Sequence, residues 1–385
     1  MAKKRLRVCL VLPVQSPYWS QRLKVLAASA DLAVTVLLER ATVSHRPGWE
    51  PTPIRNVTLE VLGSALMNFQ RDHSDLGFRI HGTRGIPWRL PRSLWRHRPD
   101  VVVVCNASQL LMALSVHRFL GFKLALIVED TPHATRGLPW WLHRVRACVY
   151  QQADHYFAFS HDAVDYLRSI KIVDRLSRSS WSLDMESFGA LNKFVNARQA
   201  RMIEISFVGQ FIPMKGVEEL LRAWEQLPQE TVERARLSMV GTGPLREEMM
   251  AYSLARGLKN VTFPGHLSAQ GIINQLSKTD LFVLPTLQDL FSLAVLEAMA
   301  SNCAVITTPF NGARELIDEG RNGWIVDPTE PQALRLVLAK ALSPETDLCV
   351  MGKAARDRVV GMDNRRVMKE FEQAMLDVAR YKQVN

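Results

Sequence analysis

The chain of 385 residues has few cysteines, few aromatic residues and no long apolar run. Its five cysteines are odd in number, lie far apart and form no C-x-x-C pair. This pattern argues against a disulfide framework or a cysteine-rich zinc site and fits a reducing compartment. No stretch approaches the ~18 uncharged apolar residues that a membrane-spanning helix requires. A composition of 47% hydrophobic and 22% charged residues is that of a globular protein, which excludes disorder, collagen and coiled coil.

Acidic residues are scarce in one half of the chain. Residues 1–200 contain 27 Lys and Arg against 15 Asp and Glu, whereas residues 201–385 contain 21 against 23. Seven of the nine tryptophans also lie in the first 200 residues. This asymmetry indicates a partner that only the first half contacts, such as anionic lipid, an acidic acceptor or nucleic acid. Charge that serves solubility alone is the other interpretation.

The N-terminus has some features of a signal peptide, because Lys3, Lys4, Arg5 and Arg7 precede the apolar run Val8–Val14. The run is only seven residues long and no small-x-small cleavage site follows it. We therefore predict a first buried strand here. The expected location is the cytoplasm, peripheral on the inner face of the membrane.

Short apolar runs recur through the chain, each followed by a turn signal and a segment of helical period. In the second half they begin 20 to 30 residues apart, which is roughly the span of a βα unit. The runs are at 8–14, 33–38, 101–105, 124–128 and 156–159, and they begin near positions 205, 237, 261, 281, 304 and 324. Continuous Val/Ile/Leu runs are typical of parallel sheets covered on both faces. The predicted fold class is α/β, with two doubly wound Rossmann-like domains facing across a cleft.

The domains are predicted at 1–195 and at 196–364. The join is expected in the polar stretch 192–201. The segment 365–385 is predicted as a C-terminal helix that packs back on the first domain. Its apolar face would consist of Val367, Phe371, Met375 and Val378. Ligands of open α/β sheets bind beyond the carboxyl ends of the strands, so the cleft is the expected site.

The segment Pro285–Ala300 is the most informative motif. A strand ends at Pro285, a short loop holds Asp289, and a helix is predicted to start close to Ser292. Free N–H groups of Phe291, Ser292 and Leu293 would then meet an anion such as a diphosphate. Glu297 lies one to two turns further on, where a carboxylate can accept hydrogen bonds from sugar hydroxyls. An ordinary cap with a surface Glu is the competing interpretation.

Two further strand-to-helix turns contain glycine. In the first, Gly209 lets the backbone come close to a ligand and Lys215 provides a point charge for phosphate oxygens. The second is Gly241-Thr242-Gly243-Pro244, which is neither a Walker A motif nor a complete G-x-G-x-x-G. Dinucleotide binding is therefore not supported.

These motifs together resemble the retaining glycosyltransferases of family 4, the group 1 glycosyltransferases, which have the GT-B fold. The resemblance is close from about Ile203 to Leu342. It rests on the segments 208–216, 241–244, 261–265, 285–300, 311–315 and 322–323. It is looser in the first half, where 98–102, 153–160 and 182–184 resemble the family.

The resemblance implies that residues 1–195 form an acceptor-side domain and residues 196–364 a nucleotide-sugar domain. It also implies roles for individual residues. Donor-binding positions would be Gly209, Gln210, Lys215, Gly243, His266, Phe291, Ser292, Leu293 and Glu297. Catalytic positions would be Asp289, Lys215 and His133. Within these sets Lys215 would bind the diphosphate, Glu297 the ribose, and the loop at His266 would frame the base.

Several residues depart from the family pattern. Asp289 replaces the usual Glu, Gln210 stands where an Arg is usual, and Ser292 replaces a common Gly. The opening loop after the first strand also lacks a glycine pair. A His usually follows the strand that corresponds to residues 124–128, but here either His133 or Glu129 could take that position.

Metal ligands are not evident, since there is no Asp-x-Asp pair and no His/Cys cluster of ligand spacing. We expect no metal and no cofactor, the nucleotide-diphosphate sugar being the donor substrate. Lysine and helix dipoles would stabilise the phosphate charge.

Two basic segments contain tryptophan. Residues 79–98 hold six Arg, two Trp and no acidic residue, and residues 135–150 add Arg, His and Trp. Such composition suits an anionic membrane surface or a phosphorylated acceptor. Signatures of RNA-binding domains are absent, so no nucleic-acid partner is expected. A solvated loop with its tryptophans packed inward is the alternative.

The leading hypothesis is a retaining, metal-independent, hexosyltransferase-type enzyme. It would move a sugar to a hydroxyl of a polysaccharide, lipopolysaccharide or lipid-linked glycan acceptor at the membrane surface. A noncatalytic scaffold subunit and a nucleotide-sugar epimerase are the alternatives.

Overall fold

A computed structural model describes residues 4–42, 49–73, 78–136, 138–189, 202–330 and 332–380. The chain forms two compact units. The N-terminal unit contains nearly all described residues before Asp184 and those from Met362 onward, and the C-terminal unit spans Asp184–Gly361. The predicted join at 192–201 lies outside the described residues.

The N-terminal unit alternates strands with helices. Its elements are β1 (Leu6–Leu12), α1 (Pro17–Ala27), β2 (Leu32–Leu38), β3 (Val57–Val61), β4 (Ala65–His73), β5 (Phe78–Ile86), α2 (Leu90–His97), β6 (Val101–Val104), α3 (Ala107–Leu120), β7 (Lys123–Val128), α4 (Trp140–Tyr150), β8 (His155–Ala158), α5 (His161–Ser169) and β9 (Leu176–Arg178).

The C-terminal unit continues the same alternation. It contains α6 (Met185–Gly189), β10 (Ile203–Val208), α7 (Val217–Glu225), α8 (Gln229–Glu233), β11 (Ala235–Val240), α9 (Arg246–Ala255), β12 (Val261–Gly265), α10 (Ala269–Lys278), β13 (Leu281–Val283), α11 (Leu293–Ala300), β14 (Ala304–Thr307), β15 (Gly323–Ile325), α12 (Ala333–Ala341) and α13 (Leu348–Val359). Two 3-10 helices, Pro213–Lys215 and Gly312–Leu316, lie in its loops. The last helix of the chain, α14 (Asn364–Arg380), belongs to the N-terminal unit.

Each unit is built on a parallel sheet. In the described residues the N-terminal sheet has the order β3-β2-β1-β6-β7-β8-β9 and the C-terminal sheet the order β12-β11-β10-β13-β14-β15. All strand pairs of both sheets are parallel. The strand order reverses between β1 and β6 and again between β10 and β13, the switch points at which doubly wound folds bind ligands. The predicted α/β class with two Rossmann-like units is therefore confirmed.

The predicted first strand is confirmed as β1. The apolar run Val8–Val14 extends beyond the end of β1 into the loop that precedes α1. Residues Val8–Leu12 are completely buried, because both faces of the parallel sheet are covered. Helix α14 also forms where the apolar period predicts it. Its residues Val367, Phe371 and Met375 join the core of the N-terminal unit, where the Phe371 ring lies 4.4 Å from that of Phe157.

The structure differs from the sequence prediction at β3, β4, β5 and β9, which were not predicted as strands. Strands β4 and β5 pair only with each other in a separate two-stranded sheet. The basic segment 79–98 is not a solvated loop: it contains most of β5 and all of α2. Nor do its tryptophans pack inward, since Trp88 and Trp95 are 58% and 49% exposed. In the part of the chain that the structure describes, no helix has both the length and the apolar character needed to cross a bilayer.

Candidate functional site

The predicted donor-binding loops meet at the carboxyl edge of the C-terminal sheet. The loop after β10 is held to the loop after β11, because Phe211 N–H donates to the Thr242 carbonyl at 2.9 Å and Leu245 N–H donates to the Phe211 carbonyl at 3.0 Å. Gly241 has φ +135°, and a Cβ there would lie 1.8 Å from the Gly209 carbonyl oxygen. Only glycine permits this contact between the two loops.

Lys215 is positioned by the loop after β13. It ends the 3-10 helix Pro213–Lys215, and the carbonyl of the preceding Met214 accepts from Leu287 N–H and from Thr286 Oγ1, both at 2.8 Å. Lys215 Nζ lies 2.5 Å from Asp289 Oδ2, and the two side chains are only 16% and 17% exposed. Two predicted catalytic residues are thus joined in one half-buried ion pair. A phosphate group could replace the carboxylate as the partner of the ammonium.

The backbone of Asp289 is held as firmly as its side chain. Its N–H donates to the Phe310 carbonyl and its carbonyl accepts from Gly312 N–H, each at 3.0 Å. These bonds form a parallel bridge between Asp289 and Asn311. The loops after β13 and β14 therefore form one unit that fixes the carboxylate beside Lys215.

The prediction of a free N–H at Ser292 is wrong. Ser292 N–H donates to Asn311 Oδ1 at 3.1 Å, and the same oxygen accepts from Ala313 N–H at 3.1 Å. Asn311 is completely buried, and its Nδ2 donates to Thr307 Oγ1 at 2.9 Å. Ser292 is the N-cap of α11, but its side chain makes no capping hydrogen bond. The first N–H groups without intrahelical partners at this end are those of Leu293 and Ala294, as in any helix.

The remaining predicted donor residues lie on loops of the C-terminal unit or on α11. Gln210 is half-buried directly after Gly209, and Phe291 is buried before α11. Gly243 lies in the loop that is bonded to Phe211, while His266 is exposed after β12. Glu297 is 9% exposed in the middle of α11.

His133 and Glu129 belong to the N-terminal unit. Glu129 directly follows β7 and is half-buried, whereas His133 lies four residues further on in a turn. Burial raises the pKa of Glu129 to about 7; the positive charge of Arg22 opposes this and the neighbouring Asp130 adds to it. The two residues that the sequence leaves as alternatives thus occupy different positions in the same loop.

Arg22 is a buried cation that the sequence analysis missed. It is completely buried in α1, its guanidinium carbon lies 4.4 Å from the Trp181 ring centroid, and its Nε donates to Ser182 Oγ at 3.2 Å. Its Nη1 has no hydrogen-bond partner in the described structure. Burial lowers the pKa of Arg22 to about 9, against the opposing effect of Glu129. No short local motif marks Arg22 for such a role, whereas Asn311 begins the segment 311–315 that is part of the family resemblance.

Among the described residues, no group of three or more His, Cys, Asp or Glu side chains is arranged to hold a metal ion. Lys215 and the start of α11 are positively polarised groups of the C-terminal loops. This arrangement is suited to an anionic ligand.

Comparison with known proteins finds similar sequences and structures. Residues 191–358 match the family model of the glycosyl transferases group 1. An uncharacterized glycosyltransferase of Methanocaldococcus jannaschii is 22% identical over 230 residues, which is 58% of this chain and 58% of that protein. The chain thus aligns with little more than half the length of this curated relative.

Solved structures resemble a larger part of the chain. Anabaena HepE, in complex with UDP, has a TM-score of 0.73 at 15% identity and covers 97% of this chain and 100% of its own. The lipopolysaccharide outer core galactosyltransferase WaaB, in its apo form, has a TM-score of 0.71 at 15% identity, with coverage of 97% and 99%. At these identities the likeness shows the fold, which is that of GT-B glycosyltransferases. The group 1 glycosyltransferase model thus matches residues 191–358, while the likeness to GT-B structures extends over nearly the whole chain.

Proposed function

We propose that the chain is a retaining, metal-independent hexosyltransferase. It transfers a sugar from a nucleotide-diphosphate sugar to a hydroxyl of a polysaccharide, lipopolysaccharide or lipid-linked glycan acceptor. The observation that carries the proposal is the Lys215–Asp289 ion pair at the carboxyl edge of the C-terminal sheet. In this proposal the Lys215 ammonium would bind the diphosphate, and the neighbouring Asp289 carboxylate would accept hydrogen bonds from sugar hydroxyls.

The donor would be bound by three groups of the C-terminal unit. Lys215 Nζ would leave the Asp289 carboxylate and contact the diphosphate oxygens, while the first free N–H groups of α11 add their dipole. Glu297 would accept hydrogen bonds from the ribose hydroxyls. Because Gln210 is uncharged, neutralisation of the phosphate falls mainly on Lys215.

The transfer would break the bond between the anomeric carbon and the diphosphate oxygen. The acceptor oxygen attacks the anomeric carbon on the face from which the diphosphate departs, which retains the configuration. The departing phosphate oxygen accepts the proton of the acceptor hydroxyl. Lys215 stabilises the charge on that oxygen, a preorganised electrostatic effect that requires no metal. Asp289, released from Lys215, orients the sugar.

The acceptor side is proposed to lie at an anionic membrane surface, cytoplasmic and on the inner face. The basic segments 79–98 and 135–150 support this, as does the likeness to a lipopolysaccharide galactosyltransferase. The few separated cysteines fit a reducing compartment.

The test is nucleotide release from a panel of nucleotide-diphosphate sugars in the presence of glycan acceptors. Lys215→Ala and Glu297→Ala should each lower the rate by about 10²–10³, the usual effect of removing a group that stabilises transition-state charge or positions the substrate. Lys340→Ala, at an exposed lysine of α12, is the matched control and should leave the rate unchanged. Full activity of either site variant would contradict the assignment.

A noncatalytic scaffold is the second candidate, favoured by the occupied Ser292 N–H and by the uncharged Gln210. A scaffold of this kind would not need to bind donor. Thermal unfolding with a panel of nucleoside diphosphates separates the two functions, because a ligand that binds the folded chain raises the midpoint. Stabilisation by none of them would favour the scaffold.

A further inference from the structure

Three helices of the N-terminal unit lie side by side on one face of its sheet. Helix α3 packs against both α2 and α4. Their inner sides enter the core through Leu94 of α2, Leu110 of α3 and Tyr150 of α4, which are buried among the residues of β6 and β7. Their outer sides consequently form one continuous surface, here called the three-helix face. The two basic segments of the sequence are separated by α3, which contributes the centre of this surface.

The three-helix face exposes an unusual number of large apolar side chains. Phe119 of α3 is 76% exposed and Trp140 of α4 is 72% exposed. All four tryptophans that are exposed in the described structure lie on these helices or directly before them. The exposed apolar residues of the face are Trp88, Trp95, Leu111, Phe119, Trp140, Trp141 and Val145. Contiguous exposed apolar surface of this kind marks an interaction site.

The same face is positively charged. Helices α2, α3 and α4 contain no Asp or Glu. Arg96 pairs with Glu60 of β3, but the other exposed arginines here have no acidic partner among the described residues. These unpaired arginines are Arg89, Arg92, Arg98, Arg118 and Arg144. Three of them, Arg89, Arg98 and Arg144, lie 4.5 to 5.9 Å from the ring centroids of Trp88, Trp95 and Trp140.

We propose that the three-helix face docks the protein on an anionic lipid bilayer. Indole rings would lie at headgroup level and the neighbouring arginines would contact lipid phosphates. A shallow groove between α2 and α3 is lined by Arg92, Trp95 and Arg96, where a lipid phosphate would meet the unpaired Arg92. The inference rests on the proposed function, since it assigns the membrane contact of the acceptor side to particular helices. It adds α3 to the two segments that the sequence marks.

A bilayer fits this face better than a nucleic acid does. Phe119, Leu111 and Val145 offer aliphatic and aromatic surface that a bilayer interface buries but a phosphate backbone does not. Arginines lie over tryptophan rings at α2 and at α4, the two helices that flank α3. Binding should thus have an electrostatic part that salt screens and an apolar part that it does not.

The experiment is cosedimentation of the full chain with vesicles of phosphatidylcholine alone or mixed equally with phosphatidylglycerol, at low and at high salt. Arg118→Gln combined with Arg144→Gln should lower binding to the mixed vesicles at low salt by roughly 25-fold, since each arginine changes the partition about fivefold. At high salt this variant and the parent should be similar. Phe119→Ser combined with Trp140→Ser should weaken binding at both salt concentrations.

The matched control is Leu254→Ser combined with Leu336→Ser, two exposed leucines of the C-terminal unit, which should bind like the parent. All substituted side chains are on the surface, so circular dichroism and the unfolding midpoint should not change. The proposal is overturned if the parent fails to bind mixed vesicles, or if the control lowers binding as much as the aromatic variant. The proposal would also be overturned if the parent bound RNA as tightly as mixed vesicles and the aromatic variant bound RNA as tightly as the parent. That result would favour a polyanion as the ligand of this face.

Failure here and failure of the proposed function have different signatures. Donor-dependent nucleotide release with a water-soluble acceptor depends on Lys215 and not on the three-helix face. A chain that releases nucleotide but ignores vesicles retains the proposed chemistry and lacks this docking surface. If the chain binds vesicles but no nucleoside diphosphate, the docking surface is supported and the proposed transferase activity is contradicted.

Discussion

At the scale of single residues, the site depends on charges that are partly removed from water. Lys215 and Asp289 form a half-buried pair, and such a pair is strongly perturbed when one partner is removed because the other charge stays uncompensated. If a diphosphate binds Lys215 in place of Asp289, the Asp289 carboxylate can accept hydrogen bonds from sugar hydroxyls. The ion pair therefore links donor binding to the release of the carboxylate.

Glu129 makes the stability of the N-terminal unit depend on pH. Its pKa is raised from 4.5 to about 7, chiefly because burial disfavours the carboxylate. The folded chain therefore holds this proton more tightly than the unfolded chain does. The stabilisation is complete below about pH 4.5 and is lost as the pH rises through about 7.

We predict that Glu129→Gln removes this loss of stability at rising pH. In urea unfolding from about pH 4.5 to about pH 8, the free energy of unfolding of the parent should fall more steeply than that of the variant. Asp165→Asn, at a carboxyl that is 60% exposed in the same unit, should follow the parent. Parallel curves for the parent and Glu129→Gln would contradict a raised pKa at this position.

At the scale of elements, the donor loops are held together by backbone contacts that leave no room for side chains. Gly216, which ends the 3-10 turn of Lys215, has φ +67°, and a Cβ there would lie 2.0 Å from the Pro285 carbonyl oxygen. The loop after β10 can reach the loop after β13 only at this close distance. The position of Lys215 therefore depends on Gly216, a residue without a side chain.

Gly216→Ala should therefore destabilise the chain and displace Lys215. Gly257 is the matched control, because it has a similar φ of +58° with nothing within 4 Å of its Cβ position. Gly257→Ala should cost about 1 kcal/mol through the left-handed backbone alone, and Gly216→Ala about 1–3 kcal/mol more through overlap. The measurements are urea unfolding and the rise of the midpoint with nucleoside diphosphate. Equal costs in the two variants would show that the contact with Pro285 is unimportant.

At the scale of the whole molecule, the end of the chain completes the unit at its beginning. Helix α14 packs on α1, and Phe371 is 2% exposed against Phe157 of β8. The Asn364 side chain accepts from Ser182 Oγ at 2.8 Å, where the chain leaves this unit. Helix α14 is therefore part of the core of the N-terminal unit, although it follows the C-terminal unit in sequence.

Phe371→Ala should cost about 3–5 kcal/mol in the unfolding of the N-terminal unit, since it leaves a cavity in a closed core. Phe119→Ala, at an exposed phenylalanine of the same unit, should change this free energy by less than about 0.5 kcal/mol. Urea unfolding followed by circular dichroism measures both. A small effect at Phe371 would mean that α14 is not part of this core.

Sequence reasoning predicted the elements whose signal is local. The buried strands of both sheets are continuous Val/Ile/Leu runs, so they were found to within one or two residues. Strands β3, β4, β5 and β9 lack such runs because they lie at sheet edges or pair only with each other. Their formation depends on neighbours that are not visible in a short window.

The sequence by itself determined the α/β class, the resemblance to group 1 glycosyltransferases and the residue types at the candidate donor site, because runs, turns and motif order are local properties. Only the tertiary structure decided which groups are available. It pairs Lys215 with Asp289, occupies Ser292 N–H with Asn311 and buries Arg22 among aromatic rings. It also joins two basic segments through α3 into one face. Each of these contacts connects residues far apart in the chain. The sequence shows which groups can donate or accept a hydrogen bond, but only the fold decides which donor meets which acceptor.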